Sequence, residues 1–347
     1  MARITLRQLL DHAATNGYGV PAFNMSNMEL GLAIMAAADR TGSPVILQAS
    51  RGARTYANDI VLGRLIEGLC EMYPHVPVCM HLDHGNDLAT CVTAIQHGFT
   101  SVMMDGSLKA DGTTPADYAY NVAITRRVVE VAHAAGVSVE GELGVLGSLE
   151  TGMGDQEDGH GATEALADHQ LLTDPEEAER FVAETRVDAL AVAMGTSHGA
   201  YKFTREPDGD VLAMAVIEAI HQRLPDTHLV MHGSSSVPED LRSVINAHGG
   251  AIKPTWGVPM SEIQRGIRHG VRKINIDTDL RLAFTGAVRR VFTNDPGEFD
   301  PRKYLKPAME AVTAICVEKF EGFGTAGQAE NIRVLSVAEM AKRYKAG

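Results

Sequence analysis

Short apolar runs rich in β-branched residues alternate along this chain with longer segments whose apolar positions recur every three or four residues. Eight runs have the length of buried strands, at residues 19–24, 44–50, 77–84, 101–105, 138–144, 189–195, 228–234 and 271–277. Helical spacing is clearest at 28–40, 60–72, 116–135, 176–185 and 211–223. Strands and helices alternating in this way predict an α/β fold, a (β/α)8 barrel. A doubly wound sheet fits less well, because no Gly-x-Gly-x-x-Gly pattern follows the first strand. No linker or low-complexity stretch divides the sequence, so residues 1–347 read as a single barrel domain. The chain from about residue 295 onward exceeds what a barrel needs, and it predicts a C-terminal helical extension with helices at 307–320 and 337–344.

Barrel enzymes gather their chemistry at the carboxyl ends of the strands, so the polar residues closing each run become candidates. They are Asn24, Ser50, Asp83, His84, Asp105, Glu142, His198, His232, Asn275, Asp277 and Thr278. His84, His198 and His232 stand out, since each ends a different run and each is followed by glycine. Neutral imidazole is a common zinc ligand, and three of them with an open position make a catalytic metal site. His81 and His228 read instead as structural histidines, the first facing elsewhere by strand alternation and the second opening a strand. Small residues and hydroxyls after the last three strands suggest a backbone-amide phosphate cradle: Gly199, then Gly233, Ser234 and Ser235, then Asn275, Ile276, Asp277 and Thr278. The same Gly-Ser-Ser-Ser run also suits a turn and helix cap before Pro238.

Composition narrows the class. Hydrophobic residues make up 45% of the 347, ample for a core, and the formal net charge of -13 argues against a nucleic-acid or anionic-membrane partner. Small anionic molecules remain compatible with local backbone donors. Cys70, Cys79, Cys91 and Cys316 show no CxxC spacing, and no stretch has the length of a membrane span, which points to a reducing cytoplasm.

Several motifs in barrel order carry a family resemblance: HLDHG, VMMDGS, VEGELGVLGSLE, GTSHGAYKF, MHGSSSVP and KINIDTDLR. Together they resemble the class II, metal-dependent fructose-bisphosphate aldolases over almost the whole chain, and GFGTAGQA in the tail resembles the Calvin-cycle subtype. The resemblance implies reversible cleavage of fructose 1,6-bisphosphate to dihydroxyacetone phosphate and glyceraldehyde 3-phosphate, with charge developing as an enediolate that zinc stabilises. Zinc ligands would be His84, His198 and His232. Asp83 would move the hydroxyl proton, or alternatively orient a ligand histidine. Asp105 and Glu142 match a second divalent-metal position, or an ordinary carboxylate pair at the barrel mouth. Gly199, Gly233, Ser234, Ser235, Asn275, Ile276, Asp277 and Thr278 would form the dihydroxyacetone-phosphate site, where a monovalent cation, Na+ or K+, often assists. Ser50 would contact the aldehyde half. Arg281 resembles an arginine that reaches a neighbouring subunit's phosphate, and equally suits a solvated surface charge. Glu150, in the glycine-rich segment 144–161, matches the base that deprotonates dihydroxyacetone phosphate. A homodimer or larger homo-oligomer is implied as well. Tagatose- or sedoheptulose-bisphosphate aldolases would keep the same residues; a Schiff-base aldolase would need a lysine such as Lys273; a noncatalytic metal-binding barrel is the third alternative.

Overall fold

Each of the eight apolar runs forms a strand: β1 Val20–Asn24, β2 Val45–Ser50, β3 Val78–Gly85, β4 Ser101–Met104, β5 Ser138–Leu143, β6 Ala189–Val192, β7 His228–Met231 and β8 Val271–Ile276. The structure, a computed structural model, describes residues 3–147, 171–203 and 213–346. Consecutive strands pair in parallel, and β8 closes on β1 with Lys273 opposite Val20 and Asn275 opposite Ala22. The result is a closed (β/α)8 barrel with no free sheet edge.

The flanking helices start and stop where local chemistry dictates. Asn27 accepts from the Leu30 amide at 2.9 Å to begin Met28–Thr41, and Gly42 ends it in a left-handed turn. Pro175–Thr185 begins on Asp174, with proline in its first turn and Glu176 and Glu177 facing the positive end of the helix dipole. The helix expected at 211–223 runs Met214–Arg223, and residues 211–212 lie outside the described set. The one expected at 307–320 is longer, Pro301–Gly322, because Asp300 caps it and Pro301 fits its first turn. Pro307 therefore sits inside the helix. Its ring costs a backbone hydrogen bond, but Ala308, Val312, Ile315, Cys316 and Phe320 are buried, and the helix packs against Met28–Thr41 and Thr278–Asn294.

The bore changes character from floor to mouth. At the amino ends of the strands, Leu6, Leu9, Leu10 and Ala13 of the helix Leu6–Asn16 plug the barrel against Val20, Ala22, Ile46, Cys79, Met103 and Val230. Each fully buried leucine there contributes roughly 1.5–3 kcal/mol. Above the plug come Gln48, His81, Glu140 and Lys273, all fully buried and polar. Two residues further along the same strands lie Ser50, Asp83, Glu142 and Asn275, at the mouth.

The pairing of β7 with β8 shifts register between Leu229 and Val230, and a second irregularity in β3 shapes the mouth. The β3–β4 register shifts between Leu82 and Gly85, and His84 adopts φ 47°, a left-handed conformation unusual for a non-glycine residue. This turn swings His84 inward although Asp83, its neighbour, already faces the bore. Gly85 makes it sterically feasible: a Cβ there would stand 2.6 Å from the Met103 carbonyl oxygen.

Candidate active site

The three histidines singled out by their strand-end positions converge at the mouth. His84, His198 and His232 each bring a ring nitrogen to within 4.8 Å of the others, with ring centroids 4.8–5.6 Å apart. Tetrahedral zinc ligands at about 2.0–2.1 Å stand roughly 3.3 Å from one another, so this spacing suits a divalent ion after small ring movements. His84 Nε2 and His232 Nδ1 face each other at 3.0 Å. Their other nitrogens are held by carboxylates: His84 Nδ1 by Asp105 at 3.0 Å, and His232 Nε2 by Glu140 at 3.0 Å. Such pairing fixes which nitrogen each ring offers to a metal.

Electrostatics reinforce that division. Burial works against protonation of His84, but Asp83, Asp105 and Glu142 overcome it and raise its pKa well above the ordinary imidazole value. His232 goes the other way, lowered well below it by burial and by the nearby His84 and Lys273. A proton on His84 Nε2 can be donated to His232 Nδ1, and a divalent cation would take the place of that proton. Glu142 is pushed well above the usual carboxylate range by burial and by Asp105 beside it. A second cluster, His84, Asp105 and Glu142, also has ligand atoms within 4.8 Å of one another. In it Asp105 accepts from the Ser107 hydroxyl at 2.6 Å, so both of its oxygens have partners.

Asp83 is 1% exposed and held by side-chain amides from three strands: Gln48 at 3.2 Å, Asn24 at 3.4 Å and Asn275 at 3.4 Å. Burial alone would raise its pKa, but His84, Lys273 and the other two histidines bring it down to about 2. It is an ionised carboxylate at neutral pH, aimed at the same cavity as His198.

That cavity continues into the expected phosphate cradle. Asn24, Asp83, His198, Gly199, Gly233, Ser234, Ser235, Asn275, Asp277 and Thr278 line it, together with Lys202. Gly233, at φ 62°, lies so close to the loop of His198 that a Cβ would come within 2.5 Å of the Ser197 carbonyl oxygen. Beyond Ser235, Val237 holds φ 47°, a strained geometry for a β-branched residue that costs about 1–3 kcal/mol. A wider cleft of about 390 Å³ adjoins, sharing Asn24 and Asp277 and lined also by Ser50, Tyr56 and Arg281. Ser50 Oγ accepts from the Ala53 amide at 3.1 Å, and Arg281, 58% exposed at its side chain, pairs with Asp277 at 2.6 Å.

One sequence expectation changes, that for His81. The Ile276 side chain joins the apolar core behind the sheet, because alternation with Asn275 turns it away from the cavity, so only its backbone can serve the expected cradle. His81 does not face away: it points into the bore with Asp83, its Nε2 3.3 Å from Glu140 and its Nδ1 2.9 Å from Ser101. The left-handed turn at His84, invisible in a regular alternation, caused that misassignment. Glu150 lies outside the described residues. Glu140, Gln48 and Lys202 were missed, although Gln48/Ser50, His81/Asp83, Glu140/Glu142 and Lys273/Asn275 repeat a polar pair at i and i+2, the signal of a polar bore.

Comparison with known proteins agrees with this geometry. The family described as class-II fructose-bisphosphate aldolase matches residues 4–328. The chain is 68% identical over 347 residues to a fructose-bisphosphate aldolase of Rhizobium meliloti, covering 100% of this chain and 97% of that one. It is 67% identical to fructose-bisphosphate aldolase 2 of Cereibacter sphaeroides, covering 100% and 98%. Among solved structures, the YdjI aldolase of Escherichia coli superposes with a TM-score of 0.70 at 26% identity, over 94% of this chain and 99% of that one. Matched by that family over residues 4–328 and by relatives along its whole length, this chain belongs to the class-II fructose-bisphosphate aldolase family.

Proposed function

We propose that this aldolase cleaves fructose 1,6-bisphosphate at a zinc ion held by His84, His198 and His232. The observation that carries the reading is their convergence, with two of the rings held from behind by Asp105 and Glu140. Zinc bound there supplies Lewis acidity, stabilising negative charge that develops on the substrate's oxygens. The chain's own residues do the rest. Asp83, ionised and held by Asn24, Gln48 and Asn275, accepts the hydroxyl proton in cleavage and returns it in condensation. Gly199, Gly233, Ser234, Ser235, Asp277 and Thr278 cradle one phosphate, with Lys202 supplying positive charge and a monovalent cation assisting. The adjoining cleft receives the aldehyde half near Ser50 and Arg281. His84, Asp105 and Glu142 offer an alternative divalent-metal position. Glu150 is the base that removes the dihydroxyacetone-phosphate proton.

Lys273 fits a structural role better than a Schiff base. It is fully buried one layer below the histidines, and its ammonium pairs with Glu140 at 2.9 Å. Chelation should abolish turnover and zinc should restore it; full activity without metal, together with inactivation by borohydride in the presence of substrate, would overturn the metal assignment in favour of Lys273. Assaying fructose, tagatose and sedoheptulose bisphosphates side by side defines the substrate range. For Glu150→Gln, solvent hydrogen exchange into dihydroxyacetone phosphate should slow while zinc content holds; wild-type exchange would remove Glu150 as the base.

Exposed Met28, Tyr56, Ile60 and Val61, on segments near the cleft, support a homo-oligomer, which sedimentation tests. Among the described residues no helix is long and apolar enough to cross a membrane, and all four cysteines are free, which supports our placing the chain in the cytoplasm.

A further inference from the structure

Outside the eight strands, the helix Pro301–Gly322 sends one charged side chain to the edge of the phosphate cradle. Lys319 is fully buried, and its Nζ lies 3.2 Å from Asp279 Oδ2, 2.8 Å from Ser236 Oγ and 3.3 Å from Glu318 Oε1. Asp279 is fully buried too, in the first turn of Thr278–Asn294. Its carboxylate accepts three donors from the loop after β7: the Ser236 amide at 3.0 Å, the Ser236 hydroxyl at 2.9 Å and the Val237 amide at 2.8 Å.

These bonds fall on the strained turn. Val237 is left-handed and β-branched, and such a conformation persists only where its surroundings over-determine it. The preceding residues, Gly233, Ser234 and Ser235, line the cradle. Two carboxylate oxygens gripping consecutive amides supply the constraint, and the ammonium of Lys319 neutralises the carboxylate and ties it to the Ser236 hydroxyl. We infer that Lys319 is a positioning residue for the substrate phosphate: from the C-terminal helix, through Asp279, it holds Ser236 and Val237 in the turn that shapes the cradle. The inference rests on the assignment of that cradle to a phosphate.

Inorganic phosphate, used as a competitive inhibitor of the zinc-loaded full-length enzyme, tests it. Lys319→Met should weaken phosphate inhibition and raise KM by about 10- to 100-fold, the scale of an ångström-level misplacement, while zinc content stays at the wild-type value. Lys319→Arg should restore most of the affinity. Adding Val237→Gly to Lys319→Met should also recover part of it, since glycine adopts the left-handed turn without the strain that needs holding. Loss of stability with unchanged phosphate inhibition, or no recovery in either of these variants, overturns the inference. Should Lys319→Met fail to fold, Ser236→Ala leaves the Lys319–Asp279 pair intact, and it must still weaken phosphate inhibition measurably for the inference to stand. Gly233→Val serves as the control for the cradle. If it leaves phosphate inhibition unchanged, the cradle assignment falls and the inference with it; if it weakens inhibition and Lys319→Met does not, only the role of Lys319 falls.

Discussion

Histidine–carboxylate pairs of nearly equal length occur at both ends of this barrel, and they do different things. At the floor, His133 lies 2.9 Å from Asp188 and stacks on Tyr344 at 3.8 Å, while His228 lies 2.9 Å from Asp11. At the mouth, His84 lies 3.0 Å from Asp105 and His232 lies 3.0 Å from Glu140. Pair geometry alone does not separate them. What differs is the direction of the second ring nitrogen: at the mouth the second nitrogens of His84 and His232 face each other, next to His198. At the floor the pairs fasten helices to the sheet, Asp188 also accepting from the Tyr344 hydroxyl of the C-terminal helix at 3.0 Å. A carboxylate behind a histidine is thus a structural device at the floor, and only where several rings converge does the same pair suit a metal.

The sharpest way to break this contrast is to remove a ring from each end. His84→Ala, His198→Ala or His232→Ala should abolish stoichiometric zinc and lower turnover by about 10⁴-fold or more, whereas His228→Ala should keep both. Elemental analysis beside a turnover assay decides; normal zinc in all three mouth variants would remove them as ligands. Asp83→Ala separates chemistry from coordination within the mouth. It should retain zinc and lose about 10²–10⁴-fold in kcat, and loss of zinc instead would make Asp83 a support for the metal.

A smaller effect is expected one layer down. Glu140→Gln combined with Lys273→Met removes both members of a fully buried pair and avoids stranding either charge. Zinc affinity should fall roughly 10- to 100-fold because a neutral amide, which holds and polarises the His232 ring less than a carboxylate, replaces its partner. Competition with a fluorescent chelator measures this, and unaltered affinity would show that His232 needs no such support. The smallest effect belongs to the floor. Tyr344→Phe should cost about 1 kcal/mol, read as a lower Tm, with zinc affinity and kcat unchanged. A shift in zinc affinity would mean that floor and mouth are coupled.

Most of the barrel was legible in the sequence because buried parallel strands read as continuous apolar runs, and each of the eight appeared within a few residues of its expected position. The candidate site was legible at strand ends, as at Asp83, His84 and His232, and in the loop after β6 at His198. It was less so one turn of the pleat below. Glu140 and Gln48 sit inside otherwise apolar strands, where a single polar residue reads as an interruption rather than as half of an i, i+2 pair. The helix Pro301–Gly322 starts ahead of the expected residue 307 because Asp300 caps it and Pro301 fits its first turn. Lys319 carried no signal at all, since its partners, Asp279 and Ser236, are distant in sequence and meet only when the C-terminal helix docks.

The irregular residue in β3 bears on any attempt to graft this site onto another barrel. Copying Asp83 and His84 onto a strand of unbroken pleat would point one of them into the bore and the other into the surrounding helices. A designer would have to transplant the register slip itself, with the left-handed backbone at His84, the glycine that follows it and the close approach of Met103 on the adjacent strand. The heritable unit of this chemistry is therefore a defect in a strand, carried by a short Asp-His-Gly sequence and by the neighbour that makes room for it.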